Sequence, residues 1–575
     1  MEWPYQFLEL SKAQKAERQS TLDRYALYAQ ISGLLPILSM LLLRLTRNIF
    51  QKVTWKDLTY DTLPKSPDRR YQKKFSPLLS SRLREFIWWS RSEPSFIGKT
   101  GASWDQLIVG AIWLTWLLFL CINETKNDYA HISRRFGIIG TSQLPMQYLL
   151  ATKRLNIIAL AFRVSPKDIN RWHGVLGRII YFLVSAHVVL YLNYYIQVGG
   201  LLHAFLRPVP LLGMIGFFSM TILHATVLVA VKGFSYRLFF IVHVVVALAV
   251  PPLIWFHVPH GRLFVAESFL ILLADRLSRK LYINECSAAV DNIHGTNLLK
   301  IVAKLPAKKL GQFTRSPASY VFLTIPWGSR ATQSGIYPPS FGRGLLSNPF
   351  TVASVNEDAK ELTLVVRHMK GPTTNTLAQL GSLNANISLH IEGPYSAALN
   401  LPGSSWSGFD NVLLIAGGIG ATFILPLYEQ LLSENNTADV DLLWTVRAVA
   451  ETDWWPDLAA ATRNRGGNKF RLFVTGSKIT HNTTNIRDPE SGCDDVELTQ
   501  LEKLSMDHNQ AIQVESWKRP DMRAVVDEFF QRDDQGRVAV AICGPVEMVR
   551  ETRNAVGTWV GMGRNVWFRD ESFGI

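Results

Sequence analysis

Cysteine is scarce in this chain. Its 575 residues hold four, Cys121, Cys286, Cys493 and Cys543, with no CxxC pair. That excludes a disulfide framework and a zinc or redox site of the CxxC kind. Acidic residues are also few: 46 Asp and Glu stand against 60 Lys and Arg, a formal net charge of +14. Such a balance raises nucleic acid as a partner, but its placement argues against one. Thirteen of the basic residues crowd between Arg44 and Lys99, flanked by two apolar runs. A segment so placed reads as a cytoplasmic loop facing anionic headgroups, so membrane lipid is the expected partner and nucleic acid is not. The N-terminal MEWPYQFLELSKAQKAERQS lacks the basic-then-apolar pattern of a cleaved signal peptide, which leaves the first apolar span as the expected insertion signal. No repeat is found beyond two histidine-bearing segments.

Apolar sequence is abundant, at 48% of residues, but concentrated before residue 283. A membrane span takes about 20 apolar residues. Seven are expected, at about 26–43, 104–122, 136–152, 174–195, 210–231, 237–257 and 262–282. The third is the shortest and is interrupted by Pro145. Lys153, Arg154, Arg163, Lys167, Arg171, Lys232 and Arg237 follow the third and fifth spans. With the basic loop they put that side in the cytoplasm, and the C-terminal half with it, against the weaker pull of Arg134 and Arg135.

Two of these spans carry the chemistry. His173 and His187 lie fourteen residues apart, as do His243 and His257. Fourteen helical residues rise about 21 Å and fall about 40° short of four turns, so each pair shares one face. A polar imidazole within hydrocarbon costs free energy unless something satisfies it, and haem iron takes the ring nitrogen directly. One span separates the two helices, so they run parallel. His173 then meets His243 near the cytoplasmic side, and His187 meets His257 near the outer side. That arrangement suits two stacked bis-histidine haems. Gly174 and Gly177 leave room for a porphyrin, and Arg178 and Arg237 are placed for propionates. His203, His224 and His260 are read as structural or loop histidines.

After residue 285 the pattern changes. LLKIVAKL, SYVFLTIP, ELTLVVRHM and ISLHIEG are short β-rich runs bounded by turn residues, which predicts a small β-barrel. From residue 410 strands and helices alternate: NVLLIAGG, a helix at 421–434, VDLLWTVRA, KFRLFVTG, a helix at 521–531 and VAVAICGP. That predicts a parallel sheet with helices on both faces. The polar stretch 477–512 reads as an exposed insertion. AGGIGATFILP follows a strand and opens a helix, so its glycines admit a pyrophosphate to the helix N-terminus. CGP ends another strand of the same sheet, where such folds bind ligands. SNPFTVAS offers a rigid turn, an aromatic face and a hydroxyl, and KGPTTNTL a turn able to hold phosphates.

WHGVLGR, the twin histidine spacings, NPFT, IEGPY, AGGIGATF, LLWTVRA, CGP and the ending ESFGI together resemble the ferric reductase family, the fungal transmembrane metalloreductases that share a core with NADPH oxidases. The resemblance covers roughly residues 100 to 575 and looks most like the smaller metalloreductase or NADPH-oxidase-like branch. It implies a multi-domain membrane protein. An α-helical transmembrane bundle of about seven spans is joined to a cytosolic ferredoxin-reductase-like module, made of a β-barrel FAD domain and an α/β NADPH-binding domain. The implied layout is an N-terminal segment 1–25, a haem-binding domain 26–283 with the basic loop 44–103, an FAD barrel 285–405, and an NADPH domain 410–575 containing the insertion 477–512.

Residue by residue, the resemblance implies that His173, His187, His243 and His257 ligate two b-type haems. Pro349, Phe350 and Thr351 match a flavin motif usually written HPFT, whose first position is Asn348 here, so a histidine contact to flavin is lost. Gly371 and Thr374 match a second flavin loop, and Gly393, Pro394 and Tyr395 of IEGPY count with the cofactor-binding residues. Gly417, Gly418, Gly420 and Thr422 match the NADPH pyrophosphate loop. Cys543, Gly544 and Pro545 match the nicotinamide-side motif, and Phe573 the terminal aromatic that covers the flavin. Arg447, Lys518 and Arg519 are candidates for the 2′-phosphate. The implied route runs from NADPH through FAD and both haems to chelated Fe(III), Cu(II) or O₂ across a plasma membrane or endomembrane. With both axial positions filled by histidine, transfer at the haem edge is expected. A superoxide-generating NADPH oxidase is the alternative within this class. A non-catalytic scaffold or transporter with a relict reductase fold is the alternative outside it.

Overall fold

The computed structural model describes residues 5–56, 77–94, 102–228, 234–326, 347–369, 371–382, 386–395, 406–434, 438–455, 469–476, 512–516, 519–532 and 536–572. The chain divides into two compact units, Met1–Leu281 and Tyr282–Ile575.

The first unit is helical. Helix α1 runs Lys12–Lys56, beginning before the expected first span and continuing into what was expected to be loop. Leu22, Tyr25, Ala26 and Ala29, spaced by three and four, are all buried. That spacing puts them on one helical face, which packs against the apolar side chains of the next helices. Arg18 adds a shielded ion pair to Asp128 at 2.9 Å. Helix α2 (Pro77–Ser90) lies within the rest of the basic segment. Helices α3 (Trp104–Ile122), α4 (Tyr129–Ser142), α5 (Leu144–Ala151) and α6 (Ile157–Phe162) follow. Then come α7 (Pro166–Gln197), α8 (Leu201–Phe205), α9 (Pro208–Thr226), α10 (Tyr236–His257) and α11 (Arg262–Leu281).

Among the described residues, five helices are long and apolar enough to cross a membrane: α1, α3, α7, α9 and α10. The third expected span is two helices meeting at Gln143. Pro145 lacks an N–H and its ring clashes with the carbonyl one turn back, so α4 ends there. The seventh, α11, carries Glu267, Asp275, Arg276, Arg279 and Lys280. Its buried Asp275 accepts the backbone N–H groups of Lys153, Arg154 and Leu155 at 3.2, 2.9 and 3.2 Å, clasping the turn after α5.

The second unit holds a closed antiparallel barrel and a six-stranded parallel sheet. The barrel strands are β1 (Ile283–Asn292), β2 (Leu298–Lys304), β3 (Tyr320–Thr324), β4 (Asn348–Asn356), β5 (Glu361–Arg367) and β6 (Ile387–Tyr395). They close in the order β1-β2-β5-β4-β3-β6. Alternate residues such as Ile301, Leu323, Leu364 and Leu389 fill the interior. Helices α12 (Ala307–Thr314) and α13 (Pro372–Ser382) decorate the barrel. Burial pushes the Cys286 thiol of β1 up to about 12, which favours the protonated thiol over the thiolate.

The sheet contains β7 (Asn411–Gly417), β8 (Asp439–Val446), β9 (Lys469–Val474), β10 (Ile512–Ser516), β11 (Val538–Gly544) and β12 (Val566–Ser572). Its helices are α14 (Ala421–Ser433), α15 (Met522–Gln531) and α16 (Val546–Gly561). The order β10-β9-β8-β7-β11-β12 means the chain winds outward from β7, then crosses back to lay β11 on its other side. Strand β10 takes up Ile512, the last residue of the expected insertion; 477–511 lies outside the described residues. Arg532 ties α15 to β8, reaching Asp441 at 2.8 Å and Glu528 at 2.7 Å, while Arg471 of β9 meets Glu528 at 2.8 Å. Burial holds the Asp441 carboxyl above its ordinary range against the pull of Arg532. Burial also pulls Glu528 upward, but hydrogen bonds and charge from Arg532 and Arg471 outweigh it and hold that carboxylate low.

Candidate functional site

Within the helical unit the four histidines meet in two levels. The rings of His173 and His243 lie edge-on, their planes 68° apart and their centroids 6.3 Å apart, and His187 lies within electrostatic reach of His257. Helices α7 and α10 therefore run parallel. Three of the four rings have one nitrogen fixed. Nδ1–H donates to a backbone carbonyl: His173 to Gln147 at 3.0 Å, His187 to Ser133 at 2.7 Å, and His257 to Val209 at 2.7 Å. That selects the tautomer whose lone pair is on Nε2, the usual second-shell arrangement of metal-binding histidine; in His173 that Nε2 lies 3.4 Å from the Gln147 side-chain amide, which would have to give way to a ligand bond.

Two tests bear on what these rings hold. Metal–imidazole bonds are about 2.0–2.1 Å. Adding about 1.1 Å from nitrogen to ring centre on each side gives about 6.3 Å between centroids for two imidazoles aimed at one metal, and the spacing of His173 and His243 leaves that room. Among the described residues no three His, Cys, Asp or Glu side chains cluster to hold a bare ion. Paired imidazoles suit an iron that brings its own four equatorial nitrogens, and so fit haem. The space beside Gly177 is taken by the Gln147 amide, 2.9 Å from where a Cβ would stand, so this glycine makes room for a side chain of α5 and not for a porphyrin. Gly174 is open, with only Arg178 at 4.0 Å. Of the other histidines, His224 stacks on Tyr181 at 4.5 Å, and His260 lies 3.6 Å from Asp23.

In the second unit the two glycine motifs come together. Strands β7 and β11 are paired in parallel, Ala416 opposite Cys543, and they flank the point where the winding reverses. A crevice at the carboxyl ends of such strands is where these folds take dinucleotides. A Cβ on Gly417 would lie 2.6 Å from Pro545, and one on Gly420 only 2.1 Å from the Cys543 carbonyl oxygen. The loop therefore packs directly on Cys543, Gly544 and Pro545. Gly418 adopts φ +54°, a left-handed conformation that favours glycine. Thr422 is buried, its hydroxyl donating to the Ile419 carbonyl at 2.9 Å, and Cys543 is fully buried. Arg447 and Arg519 are exposed after β8 and β10, at the same carboxyl edge. Lys518 and Phe573 lie outside the described residues.

On the barrel, Pro349 is exposed, Phe350 half-buried and Thr351 buried at the start of β4. The Asn348 amide donates to the Thr373 hydroxyl at 2.7 Å, joining this strand to the turn that opens α13. Thr374 is turned inward: its hydroxyl donates to the carbonyls of Met369 and Gly371 and receives the Met369 N–H at 3.2 Å. It shapes the turn, in which the Asn375 N–H also donates to the Gly371 carbonyl at 2.9 Å. Gly393 sits against Val321, 2.9 Å from where a Cβ would be. Tyr395 is buried, stacked on Tyr320 at 5.5 Å and bonded to Glu392.

Four groups escape sequence reading. Arg367, ending β5, lies 2.9 Å from the position a Gly418 Cβ would take. Its Nε and the Thr445 hydroxyl, opposite Gly417, are buried without a partner among the described residues. Glu451 joins Arg447 and the barrel turn 295–297 around a cavity of 340 Å³. Gln147 bonds to His173 through both its carbonyl and its amide. Only Thr445 stands in a motif, LLWTVRA, and each of the four is defined by a residue far away in sequence.

Fold and site together define a class: a multi-pass membrane protein joining a histidine-bearing helical bundle to a barrel-and-sheet module of the dinucleotide-binding kind. Residues 136–254 match the ferric reductase like transmembrane component, and residues 409–557 match the ferric reductase NAD binding domain. Both compact units thus match models of the ferric reductase family. It is 26% identical to a probable metalloreductase AIM14 of Candida dubliniensis over 62% of this chain and 64% of that one. A second, from Meyerozyma guilliermondii, is 25% identical over 78% and 85%. The ferric reductase transmembrane component 4 of Saccharomyces cerevisiae is 27% identical over 51% and 39%. A solved ferredoxin NADP+ reductase from Neisseria gonorrhoeae covers 50% of this chain at 14% identity with a TM-score of 0.33, too loose a likeness to argue from.

Proposed function

We propose that this chain is a transmembrane metalloreductase. It moves electrons from NADPH through FAD and two b-type haems to a ferric or cupric chelate, with the barrel-and-sheet module on the cytosolic side. The observation that carries the reading is the pair of histidine levels on parallel helices, with Nδ1 of three rings committed to backbone carbonyls. The printed names of the relatives, metalloreductase and ferric reductase, support the substrate class.

When bound, NADPH supplies a hydride, FAD divides it into single electrons, and haem iron carries them one at a time. The residues hold and orient. Gly417, Gly418 and Gly420 let the pyrophosphate approach the N-terminus of α14, and Arg367 and the Thr445 hydroxyl stand at that crevice with polar atoms to offer. Arg447 and Arg519 serve the 2′-phosphate. Asn348 fixes the Pro349–Phe350–Thr351 edge to the 371–374 turn, where flavin would lie. His173 and His243 hold one haem, and His187 and His257 the other. Arg178 and Arg237, both exposed, are available to propionates of the first. Each pair of histidines would commit both of its imidazoles to holding a haem, which would supply one-electron transfer towards the acceptor.

The test uses the purified full chain and sealed vesicles of known orientation. A reduced-minus-oxidised spectrum of b-type haem is expected, with NADPH-driven reduction of ferric chelate on the face opposite NADPH. A preparation without Soret absorbance overturns the proposal. Superoxide formed in place of Fe(II), abolished by superoxide dismutase, would replace the metalloreductase reading with an oxidase.

A further inference from the structure

The two histidines at the His187/His257 level sit in the same socket, built twice from different helices. His187 of α7 donates Nδ1–H to the Ser133 carbonyl of α4 at 2.7 Å. One turn on in α4 is Gly137, where a Cβ would stand 2.8 Å from Nδ1 and 2.9 Å from Cε1 of the same ring. His257 of α10 donates to the Val209 carbonyl of α9 at 2.7 Å. One turn on in α9 is Gly213, where a Cβ would stand 2.6 Å from Cε1 and 3.0 Å from Nδ1 of His257. Carbonyl at i, glycine at i+4 and imidazole between them recur with no residue shared.

The likeness extends along the helices. Gly137 opens GIIG and Gly213 opens GMIG. Where a Cβ would lie on the second glycine of each, Gly140 has Val184 at 3.2 Å and Leu183 at 3.5 Å, and Gly216 has Leu253 at 4.0 Å. Those leucines stand four residues before His187 and His257 in LVSAH and LIWFH. The repeat legible in the histidine spacing therefore includes the partner helices: α4 with α7, and α9 with α10.

Resting on the two-haem reading, we infer that Gly137 and Gly213 are positioning residues for the haem held by His187 and His257. Each glycine leaves one imidazole the room to lie flat on a helix and hand its Nδ1–H to the carbonyl beneath. That bond fixes the tautomer, aims Nε2 away from the helix and makes the ring a stronger donor to iron. A methyl at 2.6–2.8 Å is closer than van der Waals contact allows, so the ring must lift or turn and the hydrogen bond lengthens. A weaker donor stabilises ferric iron less, so the potential of that haem rises. Losing such an outer-shell partner typically costs about 10–100-fold in metal affinity.

The experiment is redox titration and low-temperature EPR of the full-length holoprotein carrying Gly137→Ala, Gly213→Ala or Gly216→Ala. His243→Ala removes the other level, so the low-spin signal surviving in it marks the His187/His257 haem. Gly137→Ala and Gly213→Ala are each expected to shift that signal and raise that midpoint, or empty that site, while the His173/His243 haem is unchanged. Gly216→Ala, with its nearest neighbour at 4.0 Å, is expected to match wild type. The inference is overturned if both alanine variants keep the wild-type signal and potential. It is equally overturned if they lose both haems alike, since that is a general packing effect. Wild-type protein with no b-type haem overturns the parent reading and this one with it.

Discussion

Gly420→Ala tests the crevice between β7 and β11 directly. An added Cβ would stand 2.1 Å from the Cys543 carbonyl oxygen, 2.6 Å from its carbon and 3.2 Å from the Gly544 nitrogen. Favourable contact begins more than about 1 Å further out. All three atoms are backbone, so no rotamer change relieves the overlap. Cys543 is also held in register between Ala416 and Glu571. The strand-to-helix turn must therefore move by about 1 Å, and overpacking of this kind costs about 1–3 kcal/mol of stability. A reactant displaced by about 1 Å loses about 100-fold in rate. The assay is NADPH-driven reduction of a soluble one-electron acceptor by the detergent-solubilised full chain, with NADPH affinity titrated in parallel. The expected result is a fall of about 100-fold in kcat/KM with the haem spectrum retained. Gly561→Ala, at the end of α16 with nothing within 4 Å, should behave as wild type. NADPH binding and turnover in Gly420→Ala within about twofold of wild type would refute the argument that this turn sets nucleotide position.

Three further outcomes follow from the geometry. His187→Ala and His257→Ala should stop transfer across the membrane while NADPH still reduces flavin; full ferric reduction by either in sealed vesicles would contradict the relay. Asn348→Ala removes the 2.7 Å bond to Thr373 and should weaken flavin retention by up to about tenfold, the worth of one hydrogen bond, as read by flavin content after gel filtration. Arg532→Met should destabilise the sheet by about 2 kcal/mol at neutral pH, below the value for a fully buried pair because the arginine side chain is 30% exposed. The sign with pH is fixed by both partners. Asp441, already raised by burial, rises further without Arg532, and a raised carboxyl favours the folded state only at acid pH. Glu528 loses part of the pull that lowers it, and that stabilisation operates above its unfolded pKa. The deficit in Tm should therefore grow from pH 4 to pH 7, and a deficit that shrinks over that range would contradict it.

Local pattern was legible in the chain, and long-range partnership was not. Period and apolarity alone mark the five helices long enough for a membrane, the barrel strands β2, β3, β5 and β6, and the alternation from β7 to β11. The fourteen-residue histidine spacing is itself a statement about one face of a helix. Periodicity did not reveal that α1 begins at Lys12, because its polar first turns hide the Leu22, Tyr25, Ala26 and Ala29 face that other helices bury. Nor did it place β1, β10, β12 or α16, whose short runs become elements only against neighbours.

By itself, then, the amino-acid sequence determined which residues share a face and which glycine-rich turns join a strand to a helix, since both depend on neighbours a few positions away. Tertiary structure alone decided that Gln147 receives the Nδ1 proton of His173, that Ser133 and Val209 receive those of His187 and His257, that Gly420 lies on Cys543, and that Arg367 stands by Gly418. Each of these joins groups tens to more than a hundred residues apart. Their meeting is set by packing and strand order, which no local period encodes.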